Sequence, residues 1–202
     1  MCGIAGLVAP GSVDSLASRV RLATNQLAHR GPDGSGIFSQ AAGMSDGSLS
    51  RDSRHVQLAP SGPLSSAVCV GHSRLRIIDL TDAGAQPFPS ADGRFVLAFN
   101  GAIYNYRELR HELGQLGAEF RSNSDTEVLL AAWERWAEGC LSRLVGMFAF
   151  AVLDRARLAV SPAQRSCGAP RLPRPSTRSP PWRACRAPLR SSLAAARGRR
   201  SA

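Results

Sequence analysis

The residue with the most chemical potential is Cys2, which stands directly behind the initiator methionine in MCGIAGLVAP. With Met1 removed, it would carry a thiol and a free α-amine on one residue. An α-amine titrates at about pH 8. It can therefore take the thiol's proton directly or through a water, and nucleophile and general base need no histidine partner. The small side chain of Cys2 suits methionine removal. Position alone does not decide the matter, because an early, strand-borne, unpaired cysteine is commonly just a buried small hydrophobe.

The elements around Cys2 read as an alternation of short strands and amphipathic helices. Residues 2–8 predict a strand and residues 15–28 a helix, with Asp14 or Ser15 as its N-cap. HRGPDGSGIF follows, where Gly31, Pro32, Gly34 and Gly36 impose a turn before another short strand. Residues 40–63 are rich in Ser, Gly and Asp and predict irregular loop, with a short strand near 56–58. AVCVGHSRL and RFVLAFNG are β-branched and aromatic runs bounded by Gly or Pro, and predict strands. YRELRHELGQLG and SDTEVLLAAWERWAEG have apolar residues three and four apart and end at glycine, which predicts two helices. GMFAFAVLD is a short continuous apolar run and predicts a strand buried on both faces. Strands mixed with helices without a regular βαβ rhythm predict an α+β fold.

Charge divides the chain at Asp154. All 25 basic residues are arginine, and the chain carries a formal +10. Residues 1–154 hold 13 Arg and all 15 acidic residues, whereas residues 155–202 hold 12 Arg, 7 Pro and no acid. The body is near neutral and the tail alone makes the chain basic. Such a tail cannot bury enough apolar surface to offset its ordering entropy, and predicts disorder over 155–202. Five cysteines at wide, irregular spacing suit neither a disulfide framework nor a zinc site, and predict a reducing, cytoplasmic setting with no metal. Residues 1–8 lack a charged leader and an h-region, and no run reaches the ~18 apolar residues of a membrane span, so neither a signal peptide nor a membrane is expected.

Seven stretches, in order and with compatible spacing, resemble the glutamine amidotransferase domain of the asparagine synthetase family, an N-terminal-nucleophile amidotransferase. They are MCGIAGLV, HRGPDGSG, GHSRLRIIDL, GAQPF, FNGAIYNYRELR, SDTEVLL and GMFAFAVLD, covering residues 2–154. The resemblance implies a four-layer αββα sandwich. It implies that Cys2 attacks the side-chain amide of glutamine, releases ammonia and leaves a glutamyl thioester that water resolves to glutamate. It further implies that Asn100 and Gly101 form the oxyanion hole, and that Arg74 and Asp125 bind the α-carboxylate and α-ammonium of glutamine. Read without the family, Asn100-Gly101 is a turn, Arg74 a solvated strand-end charge and Asp125 a helix N-cap. Arg30 and Asp33 are assigned to holding a loop beside the site, and His29 to packing rather than to base chemistry.

Two departures qualify the resemblance. The family reads N-G-E-I-Y-N where this chain has Ala102, so a carboxylate expected to help bind the substrate's amino group is absent. Losing one charge-assisted hydrogen bond costs about 1.5–3 kcal/mol, which predicts impaired glutaminase activity. After FAFAVLDRAR the family's continuation gives way to LAVSPAQRSCGAPRLPRP, and no S-G-G-x-D-S pyrophosphate loop follows. The ATP- and Mg-dependent synthetase domain is thus expected to be missing and the tail to be an out-of-frame product from near Arg157, while the glutaminase step needs no cofactor. The family also admits a homodimer. Two other readings compete: an amidotransferase-like binding module without activity, and a protein whose basic tail binds nucleic acid by charge. The second is disfavoured by a tail with Trp182 as its only aromatic residue.

Overall fold

A computed structural model of the chain describes residues 2–42, 47–50 and 66–165. The elements run in the order β1 (Gly3–Pro10), α1 (Val13–Gln26), β2 (Ser35–Ala41), β3 (Ser48–Ser50), β4 (Ser66–Ser73), β5 (Phe88–Pro89) and β6 (Phe95–Ile103), then α2 (Tyr106–Gln115), α3 (Asp125–Trp136), β7 (Gly146–Asp154) and β8 (Ala159–Arg165). They build two antiparallel four-stranded sheets, ordered β1-β4-β2-β3 and β5-β6-β7-β8.

Three apolar clusters stack these elements into α, β, β and α layers. Leu16, Ala17 and Val20 of α1 pack on Ile37, Ala67 and Cys69 of the first sheet. The opposite faces of the sheets meet through Phe38, Val68 and Val70 against Val96, Ala98 and Leu153. Beyond the second sheet, Leu97, Phe99, Phe148 and Phe150 pack against Leu109 and Leu113 of α2 and Val128, Leu129 and Trp133 of α3. Alternate residues of β6 and β4 thus serve two different cores, as the two-residue period of a strand requires. Burial of one such side chain is worth about 1.5–3 kcal/mol.

Most expected elements are present with shifted ends. α1 begins earlier than expected, because Ser12 rather than Asp14 or Ser15 is its cap, accepting from the Ser15 N–H at 3.2 Å. Likewise Ser124, not Asp125, caps α3, accepting from the Thr126 N–H, so Asp125 is already the first helical residue. Residues 48–50 form the short strand β3 inside the expected loop; the strand expected near 56–58 lies outside the described residues. β7 is buried on alternate residues over its first half, and both cores claim it only near Val152 and Leu153.

The second sheet runs on past the compositional boundary at Asp154. The chain turns over 155–158 and returns as β8, paired with β7 from Asp154↔Ala159 to Phe148↔Arg165. An edge strand needs a backbone ladder more than apolar side chains, and Pro162 is tolerated there. Arginines at both ends of this stretch, Arg155 at the start of the turn and Arg165 at the end of β8, also reach back to the body. Arg155 donates from Nε to Gln40 Oε1 at 3.1 Å and from a guanidinium nitrogen to the Gly93 carbonyl at 2.6 Å. Arg165 donates to the carbonyls of Leu144 and Leu141 at 2.7 and 3.0 Å. The remainder of the arginine-rich segment, 166–202, lies outside the described residues.

Candidate active site

Cys2 sits at the mouth of β1, and its backbone carbonyl accepts from Arg30 Nε at 3.2 Å. Its sulfur accepts from the Leu75 N–H at 3.3 Å. Leu75 follows β4, so the end of this inner strand of the first sheet delivers both a donor to the thiol and, one residue earlier, Arg74. The other two cysteines among the described residues, Cys69 and Cys140, are fully buried, and burial pushes each thiol up to about 12. Cys2 alone of the three is partly exposed, as a nucleophile must be.

The turn over 31–34 is laced to the segment after β4. The Asp33 N–H donates to the Arg74 carbonyl at 3.0 Å and the Arg74 N–H to the Gly34 carbonyl at 2.7 Å. The Asp33 carboxylate accepts from the Arg76 N–H at 2.9 Å. Gly31 lies so close to the Ser73 backbone that a Cβ would collide with it. Arg30 and Asp33 therefore hold backbone rather than line the pocket. His29 is exposed and hydrogen-bonds the Gln26 carbonyl, so it is not the packed histidine expected from the sequence. A one-turn 3₁₀ helix over 28–30 leaves its ring at the surface.

Arg74 is 7 % exposed, which replaces the solvated strand-end reading with a built site. Two of its five donors are spent on the Thr81 and Asp79 carbonyls, at 2.9 and 2.7 Å. Burial, and after it the neighbouring Arg76, lower the guanidinium's pKa, while Asp79 and Asp82 oppose them. Asp79 organises this loop: it accepts from the Thr81 hydroxyl at 2.6 Å, the Thr81 N–H at 2.8 Å and the Asn123 N–H at 3.2 Å. Burial works to raise the Asp79 carboxyl, but those donors hold it below its ordinary value.

Asn100 and Gly101 lie on β6 opposite Ala149 and Phe148 of β7, inside a strand rather than in a turn. A Cβ at Gly101 would strike the Met147 carbonyl and the Phe148 backbone, so no larger residue fits there. Asn100 Oδ1 is buried without a hydrogen-bond partner. Among the described residues Arg21 Nε and His72 Nδ1 share that state, but of the three only Asn100 lines the pocket beside Cys2. Asp125 is 4 % exposed and accepts from the Ile103 N–H at 3.1 Å. Burial raises its carboxyl to about 6, opposed by backbone N–H groups, and among the described residues no cation pairs with it.

Cys2, Arg74, Asn100, Gly101 and Asp125 line one pocket of about 180 Å³. That lies below the roughly 300–1,000 Å³ of drug-sized sites and suits one small metabolite. Ala102 also lines it, across the strand pair from Met147. Three contributors escaped the sequence reading: Asp79, Gln86 and the fully buried His72. Asp79 and His72 stand in GHSRLRIIDL and Gln86 inside GAQPF, so the signal available was a polar residue inside a motif that already carried the resemblance.

The glutamine amidotransferase domain model matches residues 61–169, more than half of the chain. The chain belongs to that family. The chain is 39% identical over 166 residues to a Mycobacterium tuberculosis protein named for glutamine-hydrolysing asparagine synthetase, covering 76% of this chain and 22% of that protein. Asparagine synthetase B of Escherichia coli is 35% identical over 156 residues, with 76% and 23% covered. The chain thus spans about a fifth of the length of these curated relatives. Among solved structures, the glutamine phosphoribosylpyrophosphate amidotransferase of B. subtilis superposes with a TM-score of 0.59 at 22% identity, over 75% of this chain and 35% of that one. That likeness carries the N-terminal-nucleophile fold, with its two antiparallel sheets between helices.

Proposed function

We propose that the amidotransferase domain hydrolyses glutamine to glutamate and ammonia through a thioester on Cys2. The observation that supports this most is the meeting, in one small pocket, of a thiol, a buried arginine, a buried carboxylate without a cation and an orphan amide oxygen. Glutamine complements each of them. Its α-carboxylate takes the free donors of Arg74, its α-ammonium neutralises Asp125, and an N–H satisfies Asn100 Oδ1.

In this reading Met1 is removed and the α-amine of Cys2 takes the thiol proton. The thiolate attacks Cδ of glutamine. The amide oxygen becomes an oxyanion, stabilised by the Asn100 side-chain amide and the Gly101 N–H. Collapse of that intermediate breaks the C–N bond; the proton held by the amine passes to the leaving nitrogen, and ammonia departs. Water, deprotonated by the same amine, attacks the thioester, and glutamate leaves as the thiol is restored. Among the described residues no group of three His, Cys, Asp or Glu is placed to hold a metal ion, and no step is routed through one.

The relatives' names extend the proposal to asparagine formation, with the ammonia consumed by an ATP- and Mg-dependent synthetase part that residues 2–165 do not build. A homodimer and a cytoplasmic setting belong to the same proposal. Among the described residues Cys2, Cys69 and Cys140 are free thiols, and no helix is long and apolar enough to cross a membrane. Ala102 favours a second reading, an amidotransferase-like module that keeps the fold without the activity. Intact mass with and without diazo-oxo-norleucine, together with glutamate release from glutamine, tests both. Loss of Met1, one adduct on Cys2 and glutamate release are expected. Retained Met1 or an unmodified Cys2 refutes hydrolysis at this residue, and an adduct without glutamate release leaves the second reading.

A further inference from the structure

β6 loses its strand partner on one side just before the oxyanion pair. β5 contributes only Phe88↔Leu97 and Pro89↔Val96. Continued in that register, Pro87 would face Ala98 and Gln86 would face Phe99, but Pro87 has no N–H to continue a ladder. The Gln86 side chain takes the strand's place. Its Oε1 accepts from the Phe99 N–H at 2.6 Å, and its Nε2 donates to Thr126 Oγ1 at 3.2 Å. From the first sheet, His72 Nε2 donates to the Phe99 carbonyl at 2.9 Å. The backbone donor and acceptor of Phe99 are thus each held by a buried side chain, 7 % exposed for Gln86 and 0 % for His72. Burial lowers the imidazole to about 4, so His72 stays neutral and keeps the tautomer that donates from Nε2.

The two ends of the Gln86 amide fall next to the two halves of the site. Phe99 immediately precedes Asn100 and Gly101, and Thr126 immediately follows Asp125. Gln86 cannot drift, because its own carbonyl is packed where a Cβ on Gly36 would collide with it. We propose that Gln86 is a positioning residue that ties the oxyanion strand to the start of α3, holding Asn100 and Gly101 in place over glutamine bound at Asp125. The inference rests on the hydrolase reading above. It assigns Gln86 to the transition state rather than to substrate affinity, since Arg74 and Asp125 keep their own partners when it is changed.

Steady-state glutamate release tests it. Gln86→Met fills the space but leaves the Phe99 N–H unpaired, and a displacement of the oxyanion donors by ~1 Å costs on the order of 10²-fold. The expected result is a kcat about 30- to 100-fold lower with KM within about threefold of wild type. Gln86→Glu, whose carboxylate accepts from both the Phe99 N–H and the Thr126 hydroxyl, is expected to recover kcat to within about tenfold of wild type. Should Gln86→Met fail to fold, Thr126→Val unhooks the amide without emptying the core and must lower kcat about 3- to 10-fold at unchanged KM. An active wild-type protein with Gln86→Met or Thr126→Val at wild-type kcat overturns the positioning role. So does a KM that rises in step with the fall in kcat, or a Gln86→Glu variant no better than Gln86→Met. A wild-type protein that neither releases glutamate nor reacts at Cys2 overturns the hydrolase reading and this inference with it.

Discussion

Asp125 places function and stability in opposition, and Asp125→Asn separates them. The carboxyl is raised from 3.8 to about 6, chiefly by burial. Because the folded value exceeds the unfolded one, the folded state keeps a proton between about pH 4 and 6 that the unfolded chain releases. The stability tied to that proton is full below about pH 4 and gone above about pH 6. Each pKa unit is worth about 1.4 kcal/mol, so the ionised carboxylate costs the empty domain about 3 kcal/mol at pH 7. Asparagine cannot ionise, and its Oδ1 can still accept the Ile103 N–H. Urea unfolding of both proteins without glutamine, at pH 4, 5, 6 and 7, should therefore show Asp125→Asn gaining on wild type by about 3 kcal/mol across the series and levelling off above pH 6. His72 titrates in the same range, but it is common to both proteins and cancels in the difference. In the same preparations kcat/KM for glutamine should fall at least ~100-fold, and glutamine should stabilise wild type but not the variant. A stability difference independent of pH, or an Asp125→Asn protein less stable than wild type at pH 7, would refute the reasoning.

Three further outcomes follow from the same geometry. Ala102→Glu restores a carboxylate at the pocket wall and should raise kcat/KM roughly 10- to 100-fold; kinetics unchanged by this substitution would remove Ala102 as the cause of weak turnover. Gly101→Ala drives a Cβ into the β7 backbone, and thermal and urea unfolding should report a loss of about 1–3 kcal/mol together with lost glutaminase activity. For His72, burial lowers the imidazole from 6.5 to about 4, so the unfolded chain takes up a proton that the folded one refuses. Stability should fall as pH drops through that window, by about 3 kcal/mol in all, and His72→Gln, which can still donate to the Phe99 carbonyl, should reduce that acid sensitivity; an unchanged pH profile would argue against a buried neutral ring.

Much of the fold was legible because period and punctuation carry it locally. The 3.6-residue spacing of YRELRHEL and SDTEVLLAAW becomes α2 and α3, and the β-branched runs AVCVG and FVLAF become β4 and β6. Helix starts were misread by a residue or more because Ser12 and Ser124 compete with equally good caps beside them, and only backbone geometry chooses. β8 was missed for a different reason. Composition reports the arginines and prolines of 155–202, whereas the edge strand 159–165 is held by its ladder to β7 and by the Arg165 guanidinium, which reaches the Leu144 and Leu141 carbonyls.

The site divides in the same way. Cys2 stood out by its place behind Met1, whereas Arg74, Asn100, Gly101 and Asp125 were named through the resemblance of their motifs to the asparagine synthetase amidotransferase domain, since residue type alone reads them as a strand-end charge, a turn and a helix cap. Only the tertiary structure could show that Arg74 and Asp125 are desolvated rather than surface charges, since burial is contributed by elements far away in the chain. The same holds for Gln86 and His72, whose roles exist only because β5 stops short and the two sheets meet at Phe99. The sequence by itself determined which chemistry is available. Packing decided which groups are stripped of water and aimed at one another, because desolvation and hydrogen-bond geometry belong to the assembled layers and to no segment alone.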